Sequence, residues 1–537
     1  MIQRTRALFF LWLAMLMGAA TCLLALTGDA AAHAALVRVE PADGAVVGTA
    51  PNSFSLTFSE PTSPLVLKLI KPDGTITTLD RFVLRDTTLD IAAPTGLGNG
   101  THVLSWRIVS EDGHPVGGSA VFSIGAPSSG SPPNVSDAID WPVRIAIWAC
   151  KVVLYAGLFI GIGGIFFTQW IGGPSPAALR VAVGAAGAAL LVTPLTVGLQ
   201  GLDALGTPLS ALGNAVAWTT GFSTSYGNTA IVAAISAAVA LVALLAGGWI
   251  GKVLSLLALV GVGVALAASG HAGAAQPQWV TRPAVFLHAI GITFWAGSLI
   301  PLAAALRMQS PDAILALRRF SKVIPVAVLP LVAAGILLAI IQLGSPSALW
   351  STAYGQVLIA KLVLLVALFG LAAFNRFWLT APAERGERPA TAQLVRSIRL
   401  ELAIVLAIFA VAAFWRFTPP PRALAAAAAA PASVHIHSAK AMADLTITPG
   451  RVGPASASIV VMTGDFGPLD AKAVTLILAN PSAGIEPIRR PATRLSDGTW
   501  QVDALNLPLP GRWAARIDIL VSDFELAKLE SPIDIRP

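Results

Sequence analysis

Eight stretches of about 20 mainly apolar residues recur at 143–168, 178–200, 228–249, 252–270, 283–306, 322–343, 355–377 and 398–416. Each is long enough to cross the hydrocarbon core of a bilayer as an α-helix, the one conformation that satisfies every backbone amide within a single segment. A further apolar stretch, residues 7–26, follows Arg4 and Arg6 and runs into Ala30-Ala31-Ala32. Basic start, apolar middle and small-residue end describe a secretory signal peptide over residues 1–32. With 537 residues, 55% of them hydrophobic and 12% charged, the chain is expected to be an integral membrane protein with soluble parts flanking the membrane core.

Loop charges set the orientation. The first, third, fifth and seventh loops carry Arg180, Lys252, the group Arg307, Arg318, Arg319 and Lys322, and the group Arg376, Arg385, Arg388, Arg396 and Arg399, whereas the even loops carry only Arg282. The odd loops are therefore expected in the cytoplasm, and both flanking parts outside. The same bias accounts for the net charge of +7. No basic-aromatic cluster of the kind that grips single strands is present, so nucleic acid is set aside as a partner. Cys22 lies in the signal segment and Cys150 stands alone in the mature chain, which excludes an internal disulfide and a CxxC site.

Outside the spans the apolar period changes to two. "LVRVE", "SFSLTF", "LVLKLI", "THVLSWRIV" and "SAVFSI", broken by "PADG", "KPDG" and "LGNG", predict an antiparallel Greek-key sandwich over 33–126. "GAPSSGSPPNVSD" leads into a linker over 127–142, and the helical domain fills 143–417. The Pro/Ala-rich segment 418–440 leads to a second alternating region, 441–537, with "ASIVVM", "AVTLILA" and "WAARIDILV". The expected fold is a bundle of eight transmembrane helices flanked by two extracytoplasmic all-β sandwiches.

Several residues invite metal chemistry. Cleavage after Ala32 frees the α-amine of His33, which with its imidazole closes a small chelate ring; cleavage within Ala32-His33-Ala34, also an Ala-x-Ala site, would discard it. In "SEDGHP" Asp112 and His114 stand two apart beside a Gly and a Pro, a turn able to aim both at one point. Three nitrogens and a carboxylate oxygen suit tetragonal Cu(II). His271 closes the fourth span and His288 lies about five residues, ~7.5 Å, inside the fifth, so the two imidazoles are expected to approach near the outer surface. His435 and His437, two apart on a strand, share a face. Lys151 and Lys361 are expected to snorkel outward, Cys150 to serve packing and Glu401 to pair with Arg399. "GGWIGKV" lacks the glycine spacing and the hydroxyl residue of a phosphate loop, so no energy-coupling motif is visible.

"HAALVRVEPADGAVV", "LTFSEP" and "WRIVSEDGHPVGGSAVFSI" resemble the periplasmic copper-binding CopC family, and residues 141–417 resemble CopD, its eight-span partner. The whole resembles the CopC–CopD fusion family (YcnJ-like), its end similar to a YtkA-like domain. The resemblance implies a Cu(II) site of His33, Asp112 and His114, with Glu60 near it or simply at a strand end and no role for His102. It also implies copper handling by His271 and His288. The absence of methionine between His33 and the first span leaves no thioether for Cu(I) in that domain. The expected function is capture of Cu(II) outside a bacterial cytoplasmic membrane and copper uptake and homeostasis, without catalysis. Sequestration for resistance is one alternative; a haem- or copper-dependent membrane redox protein, with His271 and His288 as haem ligands, is another. Expected partners are copper ions and the bilayer, with an extracytoplasmic copper chaperone as a further candidate. The oligomeric state is open.

Overall fold

The computed structural model describes residues 36–41, 45–58, 61–110, 115–126, 128, 140–173, 175–308, 311–429, 431–437, 441–464, 467, 469–522 and 525–536. The signal segment, His33, Glu60, Asp112, His114 and most of the first linker lie outside the described residues.

Nine strands open the chain: β1 Leu36–Glu40, β2 Ala45–Val47, β3 Ser53–Phe58, β4 Thr62–Ile70, β5 Ile76–Thr78, β6 Phe82–Arg85, β7 Thr88–Ala92, β8 Gly100–Ser110 and β9 Pro115–Ile124. They form two sheets, ordered β1-β3-β7-β6 and β2-β9-β8-β4-β5. Alternation decides which side chains meet: Phe54, Leu56 and Phe58 from β3 face Leu67, Leu69, Leu104, Trp106 and Ile108 from the other sheet. Gly118 of β9 gives the Trp106 indole its room, since a β-carbon there would lie 2.5 Å from Cζ2.

Among the described residues eight helices are long and apolar enough to cross a membrane: Trp141–Trp170, Pro176–Leu205, Ser225–Ala246, Gly248–Ala267, Gln278–Met308, Asp312–Leu343, Ala353–Glu384 and Arg388–Ala425, called here spans one to eight. Span five is the axis of the bundle, packed on spans one, four, six and eight. Small residues let its neighbours approach: a β-carbon on Gly163 of span one would fall 1.9 Å from the Thr293 carbonyl oxygen, and one on Gly297 2.4 Å from the Gly163 backbone. Span one changes to a π-helical turn at Gly157–Ile162, where Gly161 abuts Ala186 of span two. Spans six and seven stand at the periphery, with Leu329 and Val366 each 74% exposed. Such apolar exposure on a spanning helix is the surface that lipid covers.

Nine further strands follow: β10 Ala432–His437, β11 Ala441–Thr448, β12 Gly453–Thr463, β13 Ala473–Asn480, β14 Ile485–Pro491, β15 Thr493–Arg494, β16 Trp500–Leu507, β17 Gly511–Ser522 and β18 Glu525–Ile535. The sheets run β10-β11-β12-β16-β15 and β14-β13-β17-β18 around a core that includes Trp500, Trp513, Ile459 and Leu476. Arg107 of β8 donates to the Asp203 carbonyl oxygen at 2.9 Å, which ties the first sandwich to the end of span two. Edge strand β1 lies against edge strand β10.

Candidate functional site

His271 and His288 line one cavity of about 700 Å³ inside the helical core. The sequence placed them at the junction of spans four and five, and the fold brings both to the same space. His271 sits in the turn between these spans, and its carbonyl oxygen accepts from Gln342 Nε2 at 2.8 Å and Arg422 Nη2 at 2.9 Å. Those bonds come from the ends of spans six and eight, so three parts of the bundle fix the turn. His288 is held through Nδ1, 3.0 Å from the Leu331 carbonyl oxygen on span six. A carbonyl only accepts, so Nδ1 carries the proton and Nε2 keeps its lone pair.

The rest of the lining is aromatic and cationic. All three tyrosines of the chain, Tyr155, Tyr226 and Tyr354, face the cavity, with Phe159, Trp295, Phe369 and Phe409 forming its apolar part. Lys151, Lys361 and Arg416 also line it, and no Asp or Glu is among the described lining residues. Lys361 lies 4.8 Å from the centroid of the Trp415 ring and Lys151 lies 5.8 Å from that of Tyr155. Both lysines therefore point into the core rather than snorkel away from it. Arg416 is neutralised locally: its Nη2 is 2.5 Å from Asp203 Oδ2 and 2.8 Å from Gln200 Oε1.

Other expectations fare differently. Glu401 is buried and accepts from Asn375 Nδ2 at 2.7 Å, a partner on span seven instead of Arg399. Cys150 is half-buried, free, and packed against the cluster of Val143, Ile147, Leu199 and Leu202. His435 Nδ1 lies 2.7 Å from Asp444 Oδ1 on the neighbouring strand, and the backbone of His437 pairs with Met442. His102 is fully buried, stacked on Phe122 at 5.3 Å, and its Nδ1 donates to the Gly100 carbonyl oxygen at 3.1 Å. Among the described residues no group of three or more His, Cys, Asp and Glu is placed to hold a metal ion. Sequence reasoning missed the cationic lining, although lysines within apolar runs were its visible signal.

Comparison with known proteins accounts for this architecture. Residues 36–125 match the CopC domain family, and residues 314–415 match copper resistance protein D. The copper transport protein CutJ of Bacillus subtilis (strain 168) is 26% identical over 524 residues, which cover 92% of this chain and 94% of that protein. Among solved structures, CopC from Methylosinus trichosporium OB3b is 24% identical, covers 19% of this chain and 100% of its own, and has a TM-score of 0.16. PcoC, a methionine-rich copper resistance protein from Escherichia coli, is 27% identical and covers 17% of this chain and 99% of its own, with a TM-score of 0.15. This multi-pass membrane chain thus carries a match to the CopC domain and a match to copper resistance protein D in one polypeptide, and is similar over 92% of its length to a copper transport protein.

Proposed function

We propose that the protein captures Cu(II) outside the bacterial cytoplasmic membrane and passes copper inward through its helical core, serving uptake and homeostasis. His33, through its amine and imidazole, together with Asp112 and His114, binds Cu(II) in the unit 33–126. The unit 143–417 conducts copper past His271 and His288, and His435 and His437, on strand β10 just ahead of the unit 441–537, add a further copper-binding surface to it. Both β units lie on the outer side, where an extracytoplasmic chaperone could deliver copper to either. The observation that carries the reading is the shared cavity of His271 and His288. The name of the CutJ relative, a copper transport protein, supports copper movement over storage. The two lysines of the lining, Lys151 and Lys361, oppose a bare divalent ion, so passage requires coordination by the two imidazoles.

The test is cellular copper content at limiting supply in wild type, His288→Ala and the double variant with Cys150→Ser. Uptake predicts loss of accumulation while outer-domain Cu(II) binding persists. Unchanged accumulation at normal protein levels favours sequestration by the outer units. An absorption spectrum of the purified protein with a Soret band would instead assign the two histidines to haem.

A further inference from the structure

The register of the last domain adds two residues to its histidine pair. His437 is the Cα partner of Met442, Met442 is that of Met462, and His435 is that of Asp444. Directly opposed residues of antiparallel strands share a face, with β-carbons about 4.5–5.5 Å apart. In β11 the core face is Ala441, Ala443, Leu445 and Ile447, and in β12 it includes Ile459 and Val461. Met442, Asp444 and Met462 therefore occupy the opposite, outer face. Met442 is nonetheless only 8% exposed, and Met462 is partly buried.

Methionine more often fills gaps in a core than binds metal. These two lie on the face opposite the sandwich core and oppose each other across β11 and β12, while His435, diagonal to Met442 on β10, has its Nδ1 held by the Asp444 carboxylate at 2.7 Å. A carboxylate-oriented imidazole is the arrangement that fixes a metal-ligating histidine, here through Nε2. Methionine is scarce elsewhere: Met1, Met15 and Met17 precede His33, and Met308 ends span five. Thioether donors select Cu(I) over harder ions, and imidazole serves copper in either state. A methionine side chain has enough free torsions to bring both sulfurs to one ion.

We propose that Met442, Met462 and His435 form a Cu(I) site on the outer face of the C-terminal sheet. This goes beyond the transport reading and does not depend on passage through the core. His435 belongs to β10, the edge strand of this sheet against which β1 lies.

The test uses the full-length protein in detergent, loaded anaerobically with Cu(I) buffered by bathocuproine disulfonate. X-ray absorption should show sulfur in the copper shell of wild type. The volume-conserving double change Met442→Leu and Met462→Leu should remove the sulfur signal and weaken Cu(I) retention by about tenfold or more, and His435→Ala should weaken it too. Met308→Leu is the control and should change neither, because Met308 sits across the bundle beside Ser175. Unchanged amide-exchange protection of β11, β12 and β16 in the variants establishes that the C-terminal sandwich still folds. A shell of nitrogen and oxygen only in wild type, or undiminished Cu(I) retention in the double variant, overturns the proposal. Cellular uptake, measured separately on His288→Ala, reports on the transport reading alone.

Discussion

His288 on span five is tethered through Nδ1 to the carbonyl oxygen of Leu331 on span six at 3.0 Å. The tether aims the other nitrogen, and Gly335 one turn further along span six leaves the ring its place. A β-carbon at Gly335 would lie 3.1 Å from His288 Cε1. Gly335→Val should therefore push the imidazole off its bond without removing it. Copper accumulation should fall toward the level of His288→Ala, while Gly370→Val, where a β-carbon meets nothing within 4 Å, should leave it unchanged. Accumulation at the wild-type level in Gly335→Val would show that the orientation of His288 does not matter.

The proposed Cu(II) site makes a sharper demand on the chain terminus. If the α-amine of His33 is a ligand, one extra residue ahead of it moves that amine out of the chelate ring. Cu(II) affinity should drop by at least about tenfold, and the copper resonance spectrum should lose one nitrogen. Intact-mass analysis of the exported protein checks the premise, because a chain starting at Ala35 would carry no such ligand. His114→Ala should weaken binding independently of the terminus.

Much of the architecture was legible because its causes are one-dimensional. A bilayer requires uninterrupted apolar runs, and a half-buried sheet requires alternation, so eight spans and two β regions can be read residue by residue. What could not be read depends on which face of a helix or which register of a strand is used. Arg399 and Glu401 are near in sequence, yet residues two apart point to different sides of a helix, and Glu401 turns to Asn375 instead. Hydropathy placed Lys151 and Lys361 in spans but not on the cavity wall. The pairing of Met442 with Met462 depends on how β11 and β12 are registered, which no local pattern in either segment states.

Burial makes one histidine of the first sandwich a pH-dependent element of stability. His102 is enclosed by the core, its Nε2 has no hydrogen-bond partner among the described residues, and desolvation lowers its pKa from the usual 6.5, with the Gly100 bond and the more distant Lys71 and Asp73 as lesser influences. Unfolding lets the ring protonate at its ordinary pKa. Between the folded pKa and 6.5 the unfolded chain binds more protons, so stability is lost as pH falls through that window. Amide exchange of β8 and β9, corrected for intrinsic rates, should become faster between about pH 7.5 and pH 5 in wild type. His102→Leu should flatten that response even if it lowers stability overall. An equal pH response in both proteins would assign the effect elsewhere.

Asp203 holds Arg416 at the polar end of the cavity through a 2.5 Å contact, with the two side chains 16% and 8% exposed. Removing one member of such a pair leaves a charge in a poorly solvated place, a loss of about 3–5 kcal/mol when the site is buried. Asp203→Asn should thus lower the thermal midpoint of the detergent-solubilised protein. It should also raise the positive potential where Lys151 and Lys361 already lie, and so reduce copper accumulation beyond what the loss of protein explains. The double change Asp203→Asn with Arg416→Gln removes both charges together. It should recover most of the stability, because neither side chain is left as an unpaired ion, and it should recover accumulation if electrostatics was the cause. Recovery of stability without accumulation would assign Arg416 a direct part in copper passage. Strict additivity of the two single effects would show that the pair is not coupled at all.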